Sequence, residues 1–285
     1  KNKIIGYCGI MPTTVINHGK IEEAIWWIDL VISREFRGLG YQKIFDNYIR
    51  ERPELKLGFP NKFASIIHKK HGWYIKDRLK VLMFPITPTL SHTLLYRNKL
   101  LSQIISFAMK PFLNKASDYN PKWSFRDLKP KFEYYNRIFS LNKTNYCTTY
   151  RDENYFKHRY LKSPMFGDFL FYRCVKNKKV NIYLICRIIK TDKGSFLRIV
   201  DLFGSIWDYS AFIDLINLVI RDSINNNVTH ITILESSIRL QALMFMCGFI
   251  FFKKARFCYY TNTPDHIKKM QQSRWVFADS DNDYF

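Results

Sequence analysis

A glycine-hinged turn, Arg37-Gly38-Leu39-Gly40, follows the apolar run Ile28-Asp29-Leu30-Val31-Ile32 and leads into a helical pattern starting at Tyr41 and Gln42. The chemistry that this layout can do is anion binding. Backbone amides in the first turn of a helix are unpaired donors at the positive end of the macrodipole, so a turn that lets a ligand approach them makes a phosphate cradle. Gly38 and Gly40 supply the freedom to turn and remove the Cβ atoms that would block a diphosphate. Arg37 adds a fixed positive charge. A turn of this composition also occurs in ordinary strand-to-helix connections, so residues farther along must decide its meaning. Asn61, Ala64, His68, Gly72 and Trp73 are those residues. An imidazole can give up a proton near neutrality, its ordinary pKa being about 6.5.

The elements that must position these groups are legible in the pattern. Strands are predicted over Lys3 to Met11 and Ala24 to Ser33, joined as an antiparallel hairpin by Asn17-His18-Gly19-Lys20. A helix from Tyr41 to Arg50 places Tyr41, Ile44, Phe45, Tyr48 and Ile49 at helical spacing before Pro53 stops it. A strand over Leu55 to Phe59 and a helix over Lys62 to His71 follow, with Gly72 as its C-terminal cap. Trp26 and Trp27 fall on opposite faces of their strand, one toward the core and one toward a cleft.

In this order and separation the segments from Asp29 to Gly40 and from Asn61 to Trp73 resemble two motifs of the GNAT superfamily of acyl-CoA-dependent N-acyltransferases. The first is similar to that family's coenzyme-A pyrophosphate loop. The second is similar to a helix opened by Asn and closed by Gly-aromatic. The resemblance implies a co-substrate, acetyl-CoA or another acyl-CoA, and no metal. It implies that the amides of Gly38, Leu39, Gly40, Tyr41 and Gln42 hold the diphosphate with Arg37 beside them, that backbone groups of Leu30, Val31 and Ile32 pair with the pantetheine arm, and that Asn61 hydrogen-bonds that arm. His68 stands where the family most often has the Tyr that protonates the departing thiolate, so it is either that acid or a packing residue in an inactive copy. Asp29 and Glu23 are candidates for the base that takes the acceptor's proton, each set against a surface or turn-stabilising role. Gln42 stands where the family usually has Gly or Ala, and either crowds the diphosphate or gives it another donor. GNAT domains begin with a strand and two helices before the segment represented by Ile4 to Met11, so a native N-terminus is expected to be missing.

Composition frames these readings. The chain has 285 residues, 47% hydrophobic and 17% aromatic, enough for proper cores, which excludes a disordered chain. Lys and Arg number 45 against 24 Asp and Glu, a formal charge of +21 that attracts phosphates, nucleic acid, anionic glycans or anionic lipid without choosing among them. Cys8, Cys147, Cys174, Cys186, Cys247 and Cys258 are scattered, with no zinc spacing, and read as reduced core residues of a cytoplasmic protein. The apolar stretch from Leu94 to Phe112 is broken by Arg97, Lys99 and Lys110 and is expected to end at Pro111, which argues against a spanning helix. A helix packed between domains is the commoner explanation, and a basic helix lying on the inner membrane surface is the other.

The second half echoes the first. Asp201-Leu202-Phe203-Gly204-Ser205 parallels Asp29 to Ser33, a helix is predicted over Ala211 to Ile224, a strand over His230 to Leu234, and a further helix ends at Gly248-Phe249. The glycine turn is replaced by Ile206-Trp207-Asp208-Tyr209, and Ser237, Leu240 and Met244 stand where Asn61, Ala64 and His68 do. The expectation is an α/β (α+β) protein of two GNAT-like mixed sheets with flanking helices: residues 1–84 with the coenzyme loop, a partly helical connector over 85–150, a degenerate copy over 151–262 and a tail over 263–285. Arg151 to Tyr160 and Trp275 to Asp281 are similar to stretches of tandem GNAT proteins from surface-polysaccharide gene clusters. Asp279, Asp281 and Asp283 read as a solvated acidic tail rather than a metal site. Three functions follow: an acyl transferase acting on a small-molecule or glycan acceptor, a silent basic binding or scaffold protein, and an aminoacyl transferase drawing on charged tRNA. The charge allows a nucleic-acid partner without favouring it, and the sequence leaves the oligomeric state open.

Overall fold

The computed structural model describes residues 3–17, 19–87, 99–142, 147–164, 166–192, 194–204, 208–263, 267, 268 and 270. His18, Ile206-Trp207 and the acidic tail with Asp279, Asp281 and Asp283 lie outside the described residues.

The first half runs β1 (Gly6–Asn17), β2 (Lys20–Ile32), α1 (Tyr41–Glu51), β3 (Leu55–Gly58), α2 (Lys62–Lys70) and β4 (Tyr74–Pro85). Both arms of the hairpin are longer than the pattern predicts. The segment Thr13 to Asn17 pairs in register with Lys20 to Ala24, so β-branched Thr13, Thr14, Val15 and Ile16 continue the strand to the turn. The middle of the chain gives α3 (Lys99–Ser117), β5 (Ser124–Asp127), α4 (Phe132–Asn142) and β6 (Cys147–Thr149). Pro111 does not end α3, as the sequence led us to expect. Met109, Phe112, Leu113 and Ala116 pack into the core on both sides of it, and that burial outweighs the one backbone bond that the proline removes.

The second half follows with α5 (Glu153–Phe156), β7 (Phe169–Lys176), β8 (Lys179–Thr191), β9 (Gly194–Gly204), α6 (Tyr209–Asn225), β10 (His230–Glu235), α7 (Ile238–Met246) and β11 (Ile250–Tyr260). The order β2-α1-β3-α2-β4 recurs as β9-α6-β10-α7-β11. Its details recur too. β2 and β3 pair in parallel, as do β9 and β10. Gly72 and Gly248 both close their helices at positive φ, and the amides of Trp73 and Phe249 return to the carbonyls of His68 and Met244, each at 3.0 Å.

All described strands belong to one open mixed sheet in the order β5-β7-β8-β9-β10-β4-β11-β3-β2-β1-β6. The halves exchange their last strands. β4 lies between β10 and β11, and β11 lies between β3 and β4, every one of these pairs antiparallel. The middle segment supplies both edges, β5 beside β7 and β6 beside β1. The largest core gathers α3, α6 and α7 against β4 and β8 to β10, with Leu82, Phe212, Leu215, Ile233 and Met244 fully or nearly buried.

Candidate acyl-coenzyme cleft

β2 is paired with β1 along its whole length to Ile32, whereas its ladder with β3 stops at Trp26 opposite Leu57. Beyond that point the two parallel strands part and the β3-facing backbone edge of β2 is open among the described residues. A bulge lies in the same stretch: Asp29 and Leu30 together face Cys8, and Asp29 takes a left-handed φ of 50°. Bulges redirect side chains and break pairing, and Asp is among the residues that tolerate this conformation.

The gap between the strands opens into a cleft of about 470 Å³ lined by Asp29, Leu30, Arg37, Gln42, Asn61 and His68 together with both tryptophans. Trp26 and Trp27 project to opposite faces, as alternation requires. Trp26 stacks on Phe59 at 5.2 Å, and Trp27 packs with Trp73 at 5.6 Å. Both indoles line the cleft because the strands separate between them. Of the other residues singled out in the sequence, Val31 is exposed and Ile32 half-buried at the end of β2. Glu23 sits opposite Thr14 in the hairpin, solvent-exposed and outside the described cleft lining.

The glycine turn is a real bend. A single 3-10 turn over Arg34–Phe36 leads to Gly38 and Gly40, with φ of 84° and 86°, and a Cβ built on either meets nothing within 4 Å. Gly40 is the N-cap of α1 and offers no side-chain acceptor, so the first amides of the helix keep their hydrogen-bonding capacity. Gln42 Nε2 is buried with no hydrogen-bond partner among the described residues, a donor left over at the same helix end. Arg37 is exposed, and its Nε donates to the Ile32 carbonyl at 2.9 Å, tying the loop to the end of β2. Open glycines, uncapped amides and an orphaned donor fit a diphosphate. The equivalent end of α6 is closed. There Asp208 caps the helix by accepting from the Ala211 amide at 3.2 Å and pairs with Lys176, and its carboxyl is held below the usual range by Lys176 first, then by Ser210 and that amide.

α2 starts at Asn61, whose Oδ1 accepts from the Ala64 amide at 2.9 Å. Its oxygen is therefore committed to the cap, and the side-chain NH₂ is what remains for the cleft. His68, one helical stretch on, is only 6% exposed and lies 4.9 Å from the rings of both Trp27 and Trp73. Its Nδ1 faces Asp46 Oδ1 at 3.7 Å, which leaves Nε2 as the ring nitrogen turned away from the carboxylate.

Asp46, on α1, is the residue that sequence reasoning missed. It is fully buried, accepts from Trp73 Nε1 at 2.8 Å, and has Arg50 Nε and His71 Nδ1 at 3.0 and 2.9 Å from Oδ2, near enough for charge pairing though off the line of a hydrogen bond. Burial pushes its carboxyl up, but the nearby His68 ring, the Trp73 hydrogen bond and the His71 and Arg50 charges together hold it below the ordinary value of 3.8. The available signal was one acidic residue on the apolar face of α1, between Phe45 and Ile49.

No known family profile and no curated protein sequence matches the chain. Solved structures do. Over 92% of its length the chain superposes on 70% of the N-myristoyltransferase of Saccharomyces cerevisiae with bound myristoyl-CoA, with a TM-score of 0.64 at 11% identity. Over 95% of its length it superposes on 63% of a GCN5-related N-acetyltransferase from Anabaena variabilis, with a TM-score of 0.57 at 14% identity. The fold is that of the GCN5-related acyltransferases. A fold of this kind holds the parted strands and the loop-to-helix turn in one architecture, and both of these structures extend beyond the part that this chain covers.

Proposed function

We propose that the protein is an acyl-CoA-dependent N- or O-acyltransferase, acetyl being the favoured group, that acts by direct transfer onto a sugar or glycan precursor. The observation that carries this reading is the uncapped, glycine-hinged N-terminus of α1 opening into the same cleft as the unpaired edge of β2 and His68. The tandem arrangement is part of the proposal: the first copy works, and the second, whose matching helix end is closed by Asp208, buttresses it.

Bound in this cleft, an acyl-CoA supplies an activated thioester. Amides of residues 38 to 42 and the Gln42 side chain hold its diphosphate, with Arg37 adding charge. The open backbone edge at Leu30 to Ile32 pairs with the pantetheine arm, and one amide there polarises the carbonyl where negative charge develops. The Asn61 NH₂ donates to the arm. His68 delivers a proton from Nε2 to the departing sulfur, and the Asp46 carboxylate, 3.7 Å from Nδ1, favours the charged ring from behind. Asp29, at the bulge and in the cleft, is the better placed of the two candidate bases; Glu23 reaches the reacting centre only if the acceptor brings the proton to it.

The proposed setting is a reducing cytoplasm, in keeping with six free cysteines of which all but Cys8 are buried. No described helix is long and apolar enough to cross a membrane. Calorimetry with CoA tests the reading. Binding that falls at least tenfold in Gly40→Trp supports it, and absent binding or an unchanged affinity removes it.

A further inference from the structure

A second cavity of about 300 Å³ is lined by Met11, Pro12 and Thr13 of β1, Thr149 of β6, and Tyr155, His158 and Arg159 from the segment that follows, and its remaining wall is Trp26. Trp26 is the one described residue that lines both this cavity and the coenzyme cleft. The cavity lies where the middle and second half of the chain meet the first.

Its walls are built rather than incidental. Asp152 caps α5 by accepting from the Tyr155 amide at 2.7 Å, and the helix runs on through a π turn over Lys157–Leu161 that carries His158 and Arg159. π turns recur at functional sites because the extra residue displaces side chains from the helical register. Behind them Arg151, fully buried, donates to the Thr148 hydroxyl and the Thr149 carbonyl, each at 2.9 Å, and to Asp201 at 3.0 Å, which also accepts from Tyr160. This network fixes β6 against β9. Thr149 itself is 2% exposed, and its Oγ1 has no hydrogen-bond partner among the described residues. A buried hydroxyl left unpaired is costly, and here it belongs to a residue lining a cavity that also holds a guanidinium and an imidazole.

We propose that this cavity binds the acceptor, and that the acceptor carries an anionic group, a phosphate or a carboxylate, recognised by Arg159 and His158 with the Thr149 hydroxyl. The assignment rests on the acyltransferase reading, because it is the shared Trp26 wall that brings an acceptor up to the thioester. The described lining holds no Asp or Glu, so nothing in it opposes an anion. A planar guanidinium matches the two oxygens of either group.

Methyl spectra of the whole chain labelled at threonine, recorded with desulfo-CoA present to fill the coenzyme cleft, are titrated with inorganic phosphate and with acetate. Saturable shifts of the Thr13 and Thr149 methyls are expected, with affinity at least tenfold weaker in Arg159→Gln and only partly recovered in Arg159→Lys, which keeps the charge and loses the fork. A response to phosphate alone marks a phosphorylated acceptor, and a response to acetate alone marks a carboxylate. Silent methyls, or an unaltered titration in Arg159→Gln, overturn the anion site. If desulfo-CoA fails to bind, the coenzyme reading falls while the methyl titration still reports on this pocket. Thiol release from acetyl-CoA with matched amines, glucosamine 6-phosphate against glucosamine and glycine against glycinamide, tests the acceptor role. The anionic member of at least one pair is expected to show a tenfold higher kcat/KM, and no advantage in either pair overturns the role.

Discussion

At the scale of single residues, Asp46 and His68 sit together beneath the cleft. His68 lines the cleft and Asp46 does not, yet Asp46 meets Trp73, Arg50, His71 and His68 itself beneath it. His68→Ala should slow acyl transfer about 10²- to 10⁴-fold while leaving CoA affinity nearly unchanged, and a rate equal to the wild type takes His68 out of the mechanism. Asp46→Asn keeps an oxygen for Trp73 but loses the charge that faces Arg50 and His71. A cost of about 1–3 kcal/mol in urea unfolding is expected, together with a lower kcat. Its pH dependence is specific. Since the folded carboxyl lies below 3.8, the stabilisation is complete above that pH and drains away as pH falls through the folded value. The wild type should therefore lose more stability than Asp46→Asn on acidification below pH 3.8.

At the scale of elements, the two matching helix N-termini show how one architecture is left open or shut. α1 begins at a glycine with nothing to offer its amides, and α6 begins at an aspartate that satisfies one amide and brings a negative charge where a diphosphate would sit. The same contrast holds at α2 and α7: His68 lines the cleft, and Met244 is buried in the main core. β10 carries a further consequence. His230 is nearly buried, stacks on Phe196 at 5.0 Å, and shares a hydrogen bond of 2.8 Å between its Nδ1 and the Thr229 hydroxyl, which also lies 2.9 Å from the Ser195 carbonyl. Burial, with the Arg198 charge, lowers its pKa from 6.5 to about 4. The unfolded chain takes up this proton first, so stability is lost as pH falls from 6.5 to about 4, by roughly 3 kcal/mol. Urea midpoints across that range should slope in the wild type and flatten in His230→Phe.

At the scale of the whole molecule, exchange of β4 and β11 makes the halves interdependent. Leu82 belongs to the first half by sequence, but it is fully buried in the core of the second, in register with Ile233 and Phe251. Leu82→Ala should cost about 2–5 kcal/mol and shift one cooperative transition, seen alike by tryptophan fluorescence and far-ultraviolet dichroism. Two separated transitions would show that the halves unfold on their own despite the shared sheet. The same fusion brings α5 and its π turn beside β1, so that the second half furnishes a wall within reach of Trp26.

The order of elements from β1 to α2 and from α6 to α7 was legible in the chain because it is written in local chemistry: runs of Ile, Val and Trp, helical spacing of Ile44, Tyr48 and Ile49, and glycines where φ must be positive. The strands β4, β7, β8 and β11 were not placed by that pattern. The bend at the glycine turn was legible for the same reason, since Gly38 and Gly40 are needed by the backbone of the turn itself. What local pattern does not encode is which strands meet. A lone acidic residue such as Asp46 reads as surface until α1, α2 and β4 close over it, and Thr149 and Arg159 read as ordinary polar residues until β6 pairs with β1. Contacts between residues far apart in the chain depend on how the sheet is threaded, and the threading of β4 between β10 and β11 is decided by the burial of both halves at once.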